Sequence, residues 1–400
     1  MHSKRFAYWA LAIALGLAAP SAAQTVTYTA SGAQRLSSPE TTTDNQVTFR
    51  LHAPDAHQVA LQGDWPGAPA QMHVDEHGVW ITTIGPLPPD IYTYWFNVDG
   101  VRALDPSNAE TQRGGNRFAS LLMIHGAESR WWDVHAVPHG SIEQVWYASP
   151  TLSNAQRRMF VYLPPGYHAG NRRYPVLYLL HGGGGDEEAW TAQGRAPVIL
   201  DNLIAAGRAA PMIVVMPNGI DGETHAQGYG LGPTPSPQQI NAAPIDMARF
   251  APHLPQIRLP YEGTFNESLV RDIIPFVDRT YRTRRDARHR AIAGLSLGAA
   301  QTVLISANNP TTFDYIGVFS GGGLVGEPDF EAQLEALAHN HVALYWTGAG
   351  DSDISIQRTQ ALYNAALAHG LSATYREIPG GHAWPVWRDF LVDFAPRLFK

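Results

Sequence analysis

Gly294-Leu295-Ser296-Leu297-Gly298 sets a serine between two glycines, after an apolar run from Arg290 to Ala293 and before a helix-compatible stretch from Ala299 to Ala307. A G-x-S-x-G at a strand-to-helix turn is a nucleophile elbow, a bend so tight that it needs small residues on both sides and holds the serine Oγ out. The pattern alone is weak in a chain with 37 glycines, and its context gives it force. A serine hydroxyl is a poor nucleophile until a base takes its proton. The base must in turn be held in one tautomer by an acid.

The expected chain order is serine, acid, histidine. Downstream of Ser296, residues 341–346 read as a buried strand that ends in Thr347-Gly-Ala-Gly-Asp351-Ser-Asp353. A carboxylate leaving the carboxyl end of a strand suits the acid. Asp351 is preferred over Asp353 because it comes first after the glycine turn. Residues 373–378 read as the last strand and run into Pro379-Gly-Gly-His382-Ala-Trp384, which makes His382 the base. Each residue has a plainer role open to it. Ser296 suits a helix N-cap, either aspartate suits the cap of a helix starting near Ile354, and His382 is one of 17 histidines. Their order on successive elements favours catalysis. Upstream, a buried strand at 174–180 leads into His181-Gly182-Gly183-Gly184-Gly185-Asp186. Glycines there let backbone N–H groups approach a substrate, so Gly183 and Leu297 are the expected oxyanion donors, with a mere flexible turn as the alternative.

Composition narrows the field. Lys4-Arg5, an apolar run from Ala7 to Ala19 and Ser21-Ala22-Ala23 read as a signal peptide (residues 1–23) cleaved after Ala23, giving a secreted or periplasmic protein. The apolar run is short for a membrane span, and a chain without cysteine offers no lipid anchor, disulfide or thiolate. The signal segment carries Lys4 and Arg5 and no acid, so the remainder holds 26 basic residues against 35 acidic ones, a formal charge of −9. That balance argues against nucleic acid as a partner. Beyond the signal segment the only lysine is Lys400, which excludes a P-loop lysine, a Ser–Lys dyad and a Schiff base. No metal or organic cofactor is expected, since clusters such as His339-Asn-His341 lack a third ligand. Oligomeric state stays open.

Two domains fit this length. Residues 25–124 alternate apolar and polar side chains in short runs between turn signals, which suggests an all-β sandwich of immunoglobulin-like type. Trp65, Trp80 and Trp95 suit either its core or a sugar-stacking platform, and the core is the commoner use. Residues 125–140 form a linker with Trp131-Trp132. From 141 to 400, expected strands at 158–163, 174–180, 212–216, 290–293, 314–319, 341–346 and 373–378 alternate with helical stretches at 266–281, 330–338, 355–368 and 386–399. That pattern gives a mainly parallel sheet with helices on both faces, an α/β-hydrolase domain. Residues 221–264 fit neither pattern and read as a substrate-shaping insertion.

These motifs together resemble the esterase-D-like carbohydrate esterases (carbohydrate esterase family 1), which include feruloyl and acetylxylan esterases. The carriers are Tyr178-Leu-Leu-His-Gly-Gly-Gly-Gly-Asp186, Val215-Met-Pro-Asn-Gly219, Asp272-Ile-Ile-Pro-Phe-Val277, Ala293-Gly-Leu-Ser-Leu-Gly298 and Pro379-Gly-Gly-His-Ala-Trp384. Ala53-Pro54, Gly63-Asp-Trp65, Gly78-Val-Trp80 and Asp105-Pro106 resemble the immunoglobulin-like module that precedes such domains. The resemblance implies Ser296, Asp351 and His382 as the triad, with oxyanion donors at Leu297 and near Gly183. Two departures stand out: Ala299 replaces a glycine common after the elbow, and the 221–264 insertion is long. The expected function is a secreted serine esterase that releases ferulate, or acetate, from plant cell-wall polysaccharide through an acyl-enzyme. Trp190 and Trp384, close in sequence to the oxyanion loop and to His382, suit either contact with an aromatic acyl group or the core. The rivals are a siderophore esterase, an acyltransferase, and a carbohydrate-binding protein with an inert hydrolase body.

Overall fold

A computed structural model describes residues 27–28, 34–65, 67–114, 117–223, 259–340 and 342–400. The segment read as a signal peptide (residues 1–23) and most of the 221–264 insertion lie outside them.

The C-terminal part is built on one eight-stranded sheet: β1 (Ser141–Ser149), β2 (Asn154–Leu163), β3 (Val176–Leu180), β4 (Ile213–Pro217), β5 (Arg290–Leu295), β6 (Tyr315–Phe319), β7 (Leu344–Gly350) and β8 (Ala373–Ile378). Their order across the sheet is β1-β2-β4-β3-β5-β6-β7-β8. β1 and β2 run antiparallel to their neighbours, and from β4 to β8 every pairing is parallel. The central strands are apolar on both faces, as a sheet covered on both sides requires. Along β3, Val176, Tyr178 and Leu180 enter one core while Leu177 and Leu179 enter the other.

Helices α2 (Ile274–Thr280), α3 (Leu297–Asn308), α4 (Pro328–His339) and α5 (Ile356–Ala368) cover the first face. Helices α1 (Ala196–Ala205) and α6 (Trp384–Phe394) cover the second. The helical stretch expected at 266–281 forms, continuous from Phe265 to Thr280 but not uniform in its winding. A wide π-type turn at Leu269–Ile273 precedes α2, whose first turn contains Pro275. Proline lacks the N–H of a regular turn and crowds the carbonyl four residues back, which a wider turn relieves. Strand β1 was not expected. It is an edge strand whose burial alternates along its length, and it leaves Ile142 and Trp146 partly exposed.

The N-terminal part holds two antiparallel sheets. One orders Glu40–Thr41, Val47–His52, Val79–Ile84 and His73–Val74; the other orders Thr111–Gly114, Arg117–Ile124, Asp90–Val98, Val59–Gly63 and Ala70–Gln71. Phe49, Trp65, Trp80, Tyr94 and Phe96 fill the core between them. Trp65 and Trp80 are therefore core residues and not a sugar platform, and the Arg102 guanidinium covers the Trp95 ring at 3.7 Å.

This module is seated on the second face of the hydrolase sheet. Ile91 is buried in the same core as Trp190, Trp387 and Leu391, with Leu121 and Met123 packed against it. The connector is pinned as well: Asn202 Nδ2 donates to the carbonyls of Trp131 (2.9 Å) and Asp133 (2.8 Å). At the centre of the seam Arg388, 1 % exposed, donates to Asp90 of the module and to the Gln193 carbonyl at 2.9 Å. Removing one partner of a buried ion pair strands the other charge, at a cost of about 3 kcal/mol. Arg388→Ala should lower unfolding free energy in urea by about that amount. Arg397→Ala, which breaks an exposed pair with Asp393, should cost less than about 1 kcal/mol. Equal losses in the two variants would show that the seam contributes nothing special.

Candidate active site

The site lies where β5, β6, β7 and β8 end. Ser296 stands between β5 and α3 with φ 52° and ψ −113°, backbone that a residue with a Cβ avoids. It is held there by its N–H bonded to the Phe319 carbonyl (3.0 Å) and by its carbonyl, which accepts from Ala299 and Ala300 (both 3.1 Å). The flanking glycines are steric necessities. A Cβ on Gly294 would come 2.4 Å from the Gly298 carbonyl oxygen, and one on Gly298 would come 2.4 Å from that of His181. Ala299, where a glycine is common, is accommodated by a glycine opposite: a Cβ on Gly321 would lie 2.4 Å from its methyl.

His382 Nε2 is 2.8 Å from Ser296 Oγ, and His382 Nδ1 is 2.9 Å from Asp353 Oδ1. The acid facing the histidine is therefore Asp353, not the expected Asp351. The error traces to the strand end. Residues 347–350, read as a loop, belong to β7 and pair with β8. Asp351 is then the first residue off the strand, exposed, with its N–H on the Ile378 carbonyl (2.9 Å) and its carboxylate accepting from the Gly380 N–H (3.0 Å). It closes the β7–β8 edge. Asp353, two residues on, turns inward; its side chain is fully buried, and Oδ1 also accepts from the Ser355 N–H and hydroxyl, each at 2.7 Å. Burial pushes the Asp353 carboxyl up, but the hydrogen bond and charge of His382, with Ser320 and the Ser355 N–H, outweigh it and hold the group at about 2. The acid is thus a fixed carboxylate, able to orient an imidazole and stabilise an imidazolium.

The glycine loop after β3 sits against this elbow. A Cβ on Gly183 would lie 4.0 Å from Leu297 Cβ, so the two expected oxyanion donors are neighbours. Leu297 opens α3, and its N–H is one of the four that a helix leaves without an internal acceptor. The loop is anchored by His181, whose Nδ1 donates to the Gly182 carbonyl (2.8 Å) and whose Nε2 accepts from the Gly219 N–H (2.8 Å). Burial pushes this imidazole below its usual pKa, so it remains a neutral strut. Gln301 Nε2 donates to the Gly219 carbonyl at 2.8 Å, tying the same loop to α3. Beneath it, Arg158 pairs with Glu187 (2.5 Å) and Glu188 (3.0 Å), and Arg157 donates to the carbonyls of Asn218 and Ile220.

A cleft of about 400 Å³ opens over Gly183, Ser296, Leu297 and His382. Its walls are largely apolar, with Leu259, Leu304, Leu324, Phe330 and Ile354, while Gln333 and Arg358 add polar groups. Neither expected tryptophan lines it. Trp190 is 1 % exposed, donates Nε1 to the Leu180 carbonyl (3.0 Å) and packs edge-on against Trp384 at 5.2 Å. Trp384 in turn meets Trp387 edge-on at 5.4 Å. Both belong to the packing behind His382, because α6 begins at Trp384 and turns its first rings toward the sheet. The sequence reading passed over Ser320-Gly321-Gly322-Gly323, which follows β6 and lines the cleft. A serine and three glycines directly after a buried strand, on the same edge as the elbow, carried that signal.

The chain is similar to several known proteins. The chain is 30% identical over 370 residues to an endo-1,4-beta-xylanase/feruloyl esterase of Xylanibacter ruminicola, across 90% of this chain and 46% of that protein. It is 26% identical over 279 residues to endo-1,4-beta-xylanase Y of Acetivibrio thermocellus, across 62% of this chain and 22% of that one. The chain thus spans less than half the length of either. Among solved structures, a CE1 ferulic acid esterase from Anaeromyces mucronatus, in complex with ferulic acid, shares the fold with a TM-score of 0.53 and 22% identity over 70% of this chain and 98% of that one. The enterobactin esterase of Shigella flexneri has a TM-score of 0.60 and 18% identity over 88% of this chain and 92% of that one. Residues 149–398, which hold every residue of the site, match the family described as "Putative esterase", and the chain belongs to that family.

Proposed function

We propose that this protein is an exported serine esterase that releases hydroxycinnamate, with acetate as a lesser acyl group, from plant cell-wall polysaccharide. The observation that carries the reading is the continuous chain Ser296–His382–Asp353 beneath an apolar cleft. His382 takes the Ser296 proton as Oγ attacks the ester carbonyl. The oxyanion forms beside the Leu297 and Gly183 N–H groups, and His382 then protonates the leaving sugar oxygen. Water, activated by the same imidazole, attacks the acyl-enzyme and frees the acid. Aliphatic and aromatic walls suit a planar phenylpropenoyl group better than a bare acetyl, which leaves most of 400 Å³ unfilled. The xylanase/feruloyl esterase relative supports the acyl group and the polysaccharide, and the basic-then-apolar start of the chain supports export. A siderophore esterase is the second reading, favoured by the fold likeness to the enterobactin esterase that takes in most of the N-terminal module as well.

Hydrolysis of methyl ferulate, p-nitrophenyl acetate and a triscatecholate trilactone should be measured side by side. Preference for the trilactone would replace the proposed reading with the second one. Ser296→Ala should lose at least about 10⁴-fold in kcat, and Asp353→Asn about 10³- to 10⁴-fold through the wrong imidazole tautomer. Asp351→Asn should stay within about threefold, since it only weakens an exposed hydrogen bond. A reversal of the two aspartates would refute the assignment of the acid.

The Asp353 pKa in the folded state lies below its ordinary value, so its contribution to stability is present above pH 4 and lost as pH falls from about 4 to about 2. The acid limb of the rate profile at higher pH should therefore survive unchanged in Asp351→Asn and not follow carboxylate titration. Leu304→Trp, which fills the cleft, should raise KM for methyl ferulate by at least about tenfold and leave p-nitrophenyl acetate nearly unaffected. Equal effects on the two esters would place the acyl group elsewhere.

A further inference from the structure

A further polar side chain stands behind the triad. Ser320, the first residue after β6, is 1 % exposed and has φ 56°, backbone that favours glycine. Its N–H donates to the Gly348 carbonyl at 2.7 Å, which holds it in that conformation. Its Oγ accepts from the indole Nε1–H of Trp387 at 2.9 Å. An indole nitrogen only donates, so that bond leaves the hydroxyl proton of Ser320 to point elsewhere. Asp353 Oδ1 already takes three donors, from His382, the Ser355 N–H and the Ser355 hydroxyl. Asp353 Oδ2 is buried and has no partner at hydrogen-bond distance, a costly state for a carboxylate oxygen. Ser320 lines the same cleft as Ser355 and His382, and it is among the groups that hold the Asp353 carboxyl low. Trp387 also packs its ring edge-on against His382, with centroids 5.1 Å apart and planes at 89°.

We propose that Ser320 is a positioning residue of the esterase site: oriented by the Trp387 indole, its hydroxyl donates to Asp353 Oδ2 as positive charge builds on His382. The relay then runs Trp387–Ser320–Asp353–His382–Ser296. A left-handed serine would be retained for its hydroxyl, since glycine would satisfy the backbone better. Without the donor, the Asp353 carboxylate turns more of its charge toward His382 and is free to swing out of the imidazole plane. The proposal rests on the serine-hydrolase reading, so the test must separate the two.

The measurement is the pH dependence of Ser296 phosphonylation by a fluorophosphonate, made on the full chain and on Ser320→Ala, Ser320→Gly and Trp387→Phe. The wild type should react with a single acid limb. Both Ser320 variants should react about tenfold more slowly on the plateau, the loss expected for one hydrogen bond to a charged group, with the limb moved to higher pH by about half a unit. Ser320→Gly, whose backbone suits φ 56°, should melt above Ser320→Ala while showing the same defect, whereas a purely structural serine would give defects that follow stability. Trp387→Phe should shift the limb in the same direction by less, and should add nothing to Ser320→Ala. Profiles within twofold of wild type, with an unmoved limb, would overturn the proposal. A wild type that does not label at Ser296 would instead overturn the esterase reading itself.

Discussion

One strained residue sets the terms for the rest of the catalytic edge. Ser296 at φ 52° and ψ −113° carries a cost on the order of 1–3 kcal/mol, and it persists because its surroundings leave it no alternative. Its N–H is bonded to Phe319 and its carbonyl starts α3, so the strand before it and the helix after it fix both ends. The contact that forbids a side chain at Gly298 is with the His181 carbonyl, at the start of the glycine loop. The nucleophile and the loop that faces its oxyanion are therefore positioned by one close approach, and neither can move without the other. His181 and Gln301 extend the same constraint to Gly219 and hence to β4.

What the sequence disclosed follows from how local each signal is. The elbow needs two small residues and a serine within five positions, and His382 follows a short strand and a Gly-Gly pair; both were legible. The sheet was legible because covered strands such as β3 read as unbroken apolar runs. The acid was not, because its identity depends on where β7 stops. Thr347-Gly-Ala-Gly350 has the composition of a turn and is nonetheless strand, paired along its length with β8. Ending the strand at 346 and not at 350 hides which of the two carboxylates lies at the surface and which is buried. Trp190 and Trp384 were proposed by nearness in sequence to catalytic residues, and nearness says nothing about which side of the sheet a ring falls on. Strand β1 escaped notice because an edge strand with one wet face lacks the apolar run that marked its neighbours. Ser320, just after β6, was missed for a fourth reason: its chemistry appears only when Trp387, from the far end of the chain, is brought against it.

Those rings behind the histidine lead to the N-terminal module. Helix α6 begins with Trp384, which packs on Trp190, and continues with Trp387, which meets both His382 and Ser320. The next residue is Arg388, whose guanidinium is shared between Asp90 of the module and the Gln193 carbonyl just after the turn carrying Trp190. A hydrophobic seam at this point would bury as much area and stabilise at least as well, for a buried ion pair seldom exceeds its apolar replacement. What the charge adds is direction. A guanidinium bonded on two sides fixes the rotation of α6 about its axis, and that rotation decides whether the Trp387 indole reaches Ser320 and edges His382. On this argument the N-terminal sheets, whose buried tryptophans Trp65 and Trp80 cannot stack on sugar, serve the site from behind. They hold the helix that holds the base.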